Sequence, residues 1–255
     1  MTNRLASVLG GDAGAAVLPR LSAAAAPVCG QPWSAFAADA GQIVQAAKRI
    51  AALFGSDAIV IEIDAADSES AVEAVRRLAA EGGRPVVPVL PGPVTLAAAS
   101  DADTAKDVLT AIVEAIGEAR PALLLFDESG VAASDLAGMS ARKLFNTLRN
   151  VTSYFDVPLG IIMAIPDEDA ADAAVRLKPD AVIAAGTADA DLLDRISAEG
   201  PAIGIALSVD DTTADAAALA ATRPLIITTL GGGPDPLPVE TMHAFMGAFS
   251  GARQP

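Results

Sequence analysis

A (β/α)8 barrel is the fold class this sequence predicts, and three observations lead to it. Eight short runs rich in branched apolar residues alternate with alanine-rich amphipathic segments along the 255-residue chain. The runs are continuously apolar rather than alternating, as strands covered on both faces are. Eight strand–helix units in about 250 residues is also the length such a barrel needs. The competing architecture, an open doubly wound sheet, would carry a GxGxxG loop after its first strand, and none is found there.

The strands are expected at 26–29, 58–63, 85–90, 123–126, 158–164, 181–185, 202–207 and 225–230. Between the first two, 39–54 places Ile43, Val44, Ala47, Ile50, Ala51 and Phe54 on one helical face. Ser70 and Glu73 have the spacing of a capping box for the next helix, and Gly82-Gly83 would close it. The segment 103–119 carries Val108, Leu109, Ile112, Val113 and Ile116 at helical spacing. Further helices are expected near 134–155, 167–177, 188–199, 211–221 and 238–250, the last with Pro238 in its tolerant first turn. No linker or low-complexity tract divides the chain. Residues 1–255 therefore read as one domain, with 1–24 as a helical lead-in.

Composition narrows the function classes. Lys and Arg number 17 against 32 Asp and Glu, a net charge of −15. Nucleic-acid binding needs clustered cations to displace phosphate counterions, and anionic lipid repels such a chain as well. Apolar residues make up 52%, but 58 of them are alanine, and no run reaches the ~18 residues of a spanning helix. Pro19 and Arg20 interrupt the apolar stretch before Cys29, so no signal peptide is expected and a cytoplasmic location is the default. One Cys and one His, His243, exclude a disulfide framework and a multi-thiolate metal site. Neither supplies a Ser–His–Asp or Cys–His engine.

In a barrel the chemistry sits at the C-terminal ends of the strands. Those ends nominate Gln31 and Trp33 after strand 1, Glu62 and Asp64 at strand 2, and Gly92 and Thr95 after strand 3. They continue with Asp127, Glu128 and Ser129 after strand 4, Met163 at strand 5, Ser208 and Asp210 after strand 7, and Gly231, Gly232 and Gly233 after strand 8. Asp64 has two readings: a carboxylate for ligand N–H groups or a developing cation, or a cap for the turn that follows. Asp127 and Glu128 are adjacent on a strand and point to opposite faces, so one at most enters the pocket. That one can approach Asp64 and share or transfer a proton; loop solvation and helix capping are the other roles open to both. The three glycines suit an anion-binding loop or a tight turn into Pro234. Trp33 suits stacking on a flat ligand or plugging the core.

Four segments carry a family resemblance. Pro91-Gly92-Pro93-Val94-Thr95-Leu96-Ala97 resembles the Gly-Pro-x-Thr-Leu-Ala signature of the uroporphyrinogen decarboxylase superfamily, which includes corrinoid methyltransferases and, more distantly, cobalamin-independent methionine synthase. The stretch from Phe54-Gly55-Ser56-Asp57-Ala58 to Ile63-Asp64 resembles its strand ending in a central aspartate. Residues 124–130 resemble its Leu-Phe-Glu/Asp-Ser-x-x-Gly segment, and 230–233 followed by Pro238, Val239 and Glu240 its closing Gly-rich loop. The resemblance spans most of 25–250 and implies a (β/α)8 barrel.

The departures are equally informative. The decarboxylase has an arginine-rich loop after strand 1, where Gly30-Gln31-Pro32-Trp33 offers no arginine, and Gly232 stands where it has a histidine. A substrate with eight carboxylates would be poorly neutralised here. The zinc-binding members use His-x-Cys and a later Cys, a set this sequence lacks. What the resemblance implies is metal-independent one-carbon transfer with a corrinoid or folate-type methyl carrier as substrate, no tightly bound cofactor and no zinc. Asp64, Asp127 and Glu128 are its catalytic candidates. Gln31, Trp33, Glu62, Gly92, Thr95, Ser129, Met163, Ser208 and Gly231 to Gly233 would bind the small-molecule substrate. A corrinoid protein is a candidate partner, and a homodimer is expected. A decarboxylase-type lyase and a non-catalytic ligand-binding barrel are the two alternatives.

Overall fold

The computed structural model describes residues 3–12, 14–21, 30, 36–186, 189–210, 213–231 and 239–252. Eight parallel strands alternate with helices in a nearly closed (β/α)8 barrel. In chain order the elements are α1 (Arg4–Leu9), β1 (Ala15–Leu18), α2 (Ala40–Leu53), β2 (Ile59–Glu62), α3 (Glu69–Glu81), β3 (Val86–Pro91), α4 (Pro93–Ala99) and α5 (Ala102–Gly117). They continue with β4 (Leu124–Asp127), α6 (Ala133–Leu136), α7 (Met139–Tyr154), β5 (Leu159–Met163), α8 (Glu168–Arg176), β6 (Ala181–Ala185) and α9 (Ala190–Ala198). The last are β7 (Ala202–Leu207), α10 (Ala214–Ala220), β8 (Leu225–Thr229) and α11 (Val239–Ala248). Among the described residues no helix is long and apolar enough to cross a membrane.

Two expectations about elements are corrected. The first strand is Ala15–Leu18, inside the expected lead-in and well before 26–29, all of which lies outside the described residues. Its four residues are all buried, and Ala15 to Leu18 pair in register with Leu225 to Thr228 of β8. Pro19 follows the run directly. Second, the Ser70–Glu73 capping box does not form. Helix α3 begins at Glu69, two residues earlier than that box requires, Ser68 at the cap position makes no side-chain cap, and Glu73 accepts from Arg77 one turn on at 2.8 Å. Asp39, Asp101 and Asp167 do cap α2, α5 and α8 through their carboxylates.

Alternation along the strands sorts the core into two layers. Ala16, Leu18, Val87, Val89, Leu123, Leu125, Ile162, Ile183, Ala206 and Ile226 cluster together inside the barrel. Leu5 and Val8 of α1 join that cluster, so this helix seals one end. The intervening residues, such as Val17, Ile61, Leu90, Phe126, Ile161 and Ile205, pack against the helices instead. The inner layer accepts only small side chains in places: a Cβ on Gly204 of β7 would sit 2.7 Å from the carbonyl oxygen of Ile226.

Ladder pairing runs from β1 through β8 round to β2, and the remaining seam, between β1 and β2, is tied mainly by side chains. At the end where the strands begin, Asp57 accepts from the Val17 N–H at 2.9 Å and from Arg4 at 3.1 Å, while its own N–H donates to the Val17 carbonyl. At the opposite end Arg20 reaches Glu62.

Candidate functional site

The inward-facing rows of four strands end on functional residues. Two positions beyond Leu18 comes Arg20, beyond Val60 comes Glu62, beyond Val89 comes Pro91 and beyond Leu125 comes Asp127. Period-two geometry therefore delivers all four to the same rim. They line a cavity of about 720 Å3 together with Asp64, Thr95, Ser129 and neighbouring apolar residues.

Arg20 is the centre of this cavity, with only 6% of its surface exposed. Its Nε and Nη2 donate to Glu62 Oε1 at 3.0 and 2.9 Å, and its Nη1 donates to Asp127 Oδ2 at 2.6 Å. The backbone is held as firmly as the side chain. The buried Thr229 hydroxyl accepts from the Arg20 N–H at 2.9 Å and donates to the Arg20 carbonyl at 3.1 Å. Next to it, the Thr228 hydroxyl donates to the Leu18 carbonyl at 2.7 Å.

The adjacent carboxylates Asp127 and Glu128 occupy opposite sides of β4. Asp127 faces the cavity and accepts from the Ser129 N–H at 2.9 Å. Burial alone would raise its pKa, but the Arg20 charge and the hydrogen bonds from Ser129 and Arg20 outweigh burial and hold it below the usual carboxylate range. Glu128 is completely buried on the far side of the strand, outside the cavity lining. Burial dominates there and pushes its carboxyl upward; the bonds from Thr95 and Val94 oppose the rise, and the Asp127 charge adds to it.

The site's most specific sequence motif is explained by Glu128. The carboxylate accepts from the Val94 N–H at 2.7 Å, the Thr95 N–H at 2.9 Å and the Thr95 hydroxyl at 2.6 Å. It thus caps α4 from a neighbouring strand, where the helix has no capping side chain of its own. Pro93 at the first helical position has no N–H to satisfy. Gly92 is required sterically, because a Cβ there would lie 2.1 Å from Glu128 Cδ.

Glu62, Asp64, Thr95, Asp127 and Ser129 are therefore brought together as the strand-end reading expects. Asp64 is exposed at the rim and also accepts from the Ala66 N–H at 2.9 Å, so it caps its turn while lining the cavity. Ser208 and Gly231 sit at the same end of the barrel, after β7 and β8, but do not line this cavity. Met163 is corrected: it is fully buried in the layer between sheet and helices, because its place in β5 turns it outward. Gly92 acts through Glu128 and does not line the cavity. Gln31, Trp33, Gly232, Gly233 and Cys29 lie outside the described residues. Arg20 is the residue sequence reasoning missed. Continuing the inward row Ala16, Leu18 by two would have found it.

His243, the single histidine of the chain, packs edge-on against Phe54 with ring centroids 5.2 Å apart, among the outer helices.

No protein-family model matches the chain, and no curated protein sequence matches it. Its fold is similar to that of a methyltransferase from Methanosarcina mazei, with a TM-score of 0.74 at 14% identity over 97% of each chain. It is also similar to tryptophan synthase from M. tuberculosis in its aminoacrylate-bound form, with a TM-score of 0.53 at 16% identity over 99% of this chain and 100% of that one. D-psicose 3-epimerase with D-tagatose from Clostridium cellulolyticum H10 follows at 0.54 and 11% identity, over 82% and 92%. The likeness is one of fold.

Proposed function

We propose that the barrel mouth is the active site of a one-carbon transferase that moves a methyl group from a corrinoid or folate-type carrier without using zinc. The observation that carries this reading is the charge arrangement in the mouth. Arg20 is already engaged by Glu62 and Asp127, and Asp64 adds a third carboxylate, so the mouth is anionic despite its arginine. Such a site suits a carrier that presents N–H groups or a developing positive charge. The fold likeness to the M. mazei methyltransferase is consistent with this reading.

In this reading Asp64, exposed at the rim, is the proton-handling carboxylate. When a methyl group passes from a folate-type carrier's nitrogen to a nucleophilic acceptor, the acceptor's electron pair forms the new bond to carbon, and the nitrogen keeps the old bonding pair and takes up a proton, which Asp64 relays from solvent water. Asp127 stays ionised and orients the carrier with Glu62, while Arg20 keeps the two carboxylates apart. Thr95 and Ser129 offer polar contacts at the same wall. Glu128 is a positioning residue that sets α4 and hence Thr95. A corrinoid protein would present its carrier at this open end.

The lyase alternative requires a free cation for a substrate carboxylate. An arginine does follow strand 1, contrary to the sequence expectation, but both of its ion partners are protein carboxylates. That balance disfavours a polycarboxylate substrate.

Thermal-shift titration with methylcobalamin, methyltetrahydrofolate and coproporphyrin tests the reading, since a ligand selective for the folded state raises its melting temperature. A methyl carrier is expected to shift the transition, and Asp64→Ala to weaken that shift. Stabilisation by coproporphyrin alone would overturn the proposal in favour of the lyase. A lack of response to all three would favour the non-catalytic barrel.

A further inference from the structure

A second cavity, of about 490 Å3, lies on the outer wall and shares no residue with the barrel mouth. Its lining is Met139, Arg142, Lys143, Asn146, Arg149 and Asn150 from α7, with Arg176 and Lys178 from the end of α8 and the turn after it. The α7 residues recur at intervals of three, four, seven and eight, so they form one face of that helix.

Five of the 17 cations in a chain of charge −15 thus converge on one groove. Elsewhere Arg4, Arg20, Lys48, Arg76, Arg77, Lys106, Arg195 and Arg223 are each matched by a carboxylate, while Arg49, Arg84 and Arg120 are the cations outside the groove without an ion pair among the described residues. In the groove only Arg176 is matched, by Asp172 at 3.5 Å, and Asp172 is shared with Arg195 at 2.8 Å. Arg142, Lys143, Arg149 and Lys178 make no ion pair among the described residues, although acidic side chains outnumber basic ones almost two to one. Clustering like charges costs free energy that an anionic ligand recovers.

We propose that this groove binds an oligophosphate, a small anion carrying two or more linked phosphate groups. The concavity has the ~300–1,000 Å3 size of small-molecule sites, which favours a compact ligand over a protein surface. Guanidinium groups match phosphate oxygens bidentately, and the Asn146 and Asn150 amides add neutral donors among them. The span from Arg142 to Arg149 is seven residues, or ~10 Å along the helix axis, too long for a single phosphate to bridge. Met139, 65% exposed at the start of α7, offers an apolar contact beside the charges, which a nucleotide base would use and a bare phosphate chain would not.

The test is calorimetric titration of the full chain with sodium tripolyphosphate, ATP and inorganic phosphate, repeated on the triple variant Arg142→Gln, Arg149→Gln, Lys178→Gln. Tripolyphosphate is expected to bind more tightly than inorganic phosphate, and the triple variant to weaken it by about 100-fold through loss of charge-assisted contacts. A control variant, Arg76→Gln with Arg77→Gln, removes two cations from α3 and is expected to leave affinity unchanged. Similar affinity for ATP and tripolyphosphate would assign recognition to the phosphate chain, and tighter ATP binding would assign a nucleotide; both support the proposal. Equal affinity for inorganic phosphate, equal losses in the control, or no binding of tripolyphosphate would overturn it. Circular dichroism of both variants separates lost binding from lost folding.

Discussion

Arg20 Nη1 lies 2.6 Å from Asp127 Oδ2, joining the end of β1 to the end of β4 across the mouth of the barrel. The same guanidinium holds Glu62 on β2, next to a seam without ladder hydrogen bonds. One side chain therefore ties the seam at the mouth, as Asp57 does at the opposite end, and sets the charge of the candidate site.

Replacing Arg20 by Met should remove both functions. Glu62 and Asp127 would be left facing each other without a cation, each with about a fifth of its side chain exposed. Discounting the loss of a fully buried pair for that exposure, we expect about 2–3 kcal/mol of destabilisation in urea unfolding. Ligand binding at the mouth should fall in parallel. Arg20→Lys should recover part of the stability but little of the binding, since one ammonium cannot hold two carboxylates in this geometry.

Thr229→Val tests the backbone side of the same device. It preserves shape but orphans the buried Arg20 N–H and carbonyl, for an expected loss of about 1–3 kcal/mol. Unchanged stability with unchanged ligand affinity would show that the threonine does not position Arg20.

Gly92→Ala brings a methyl group within 2.1 Å of Glu128 Cδ and should cost about 1–3 kcal/mol by overpacking. Combining it with Glu128→Ala removes the clashing partner. The double-mutant cycle should therefore show strong coupling, the pair costing less than the sum of the single changes.

Stability should depend on pH in opposite senses through the two neighbouring carboxyls. Asp127 has a lowered folded pKa, so its contribution is present above about pH 4 and is lost as pH falls through the folded value. Glu128 has a raised folded pKa, so its contribution is present below its ordinary value of 4.5 and is lost as pH rises through the folded value. Asp127→Asn should flatten the acid limb of the unfolding free energy, and Glu128→Gln the limb above pH 4.5. Equal slopes in wild type and both variants would refute the assignment.

Much of the barrel is readable from the residues. The runs 181–185 and 202–207 coincide with β6 and β7, and five other strands lie within one residue of their expected ends. Apolar stretches long enough to be covered on both faces announce themselves. β1 does not, because its four residues precede a proline and stand beside a longer alanine-rich stretch. The missed strand hid the missed residue: with strand 1 placed after residue 25, Arg20 could not be read as a strand-end side chain.

The sequence by itself determined the fold class, the acidic character of the chain, and the strand ends that bring Glu62, Asp64, Thr95, Asp127 and Ser129 to one cavity. These follow from local period and composition. Only the tertiary structure decided that Arg20 neutralises Glu62 and Asp127, that Glu128 serves α4 from behind the wall, and that five cations meet between α7 and α8. Each of these joins residues distant in sequence, and their contact depends on which strands close the barrel and which way each side chain faces. No local pattern carries that information.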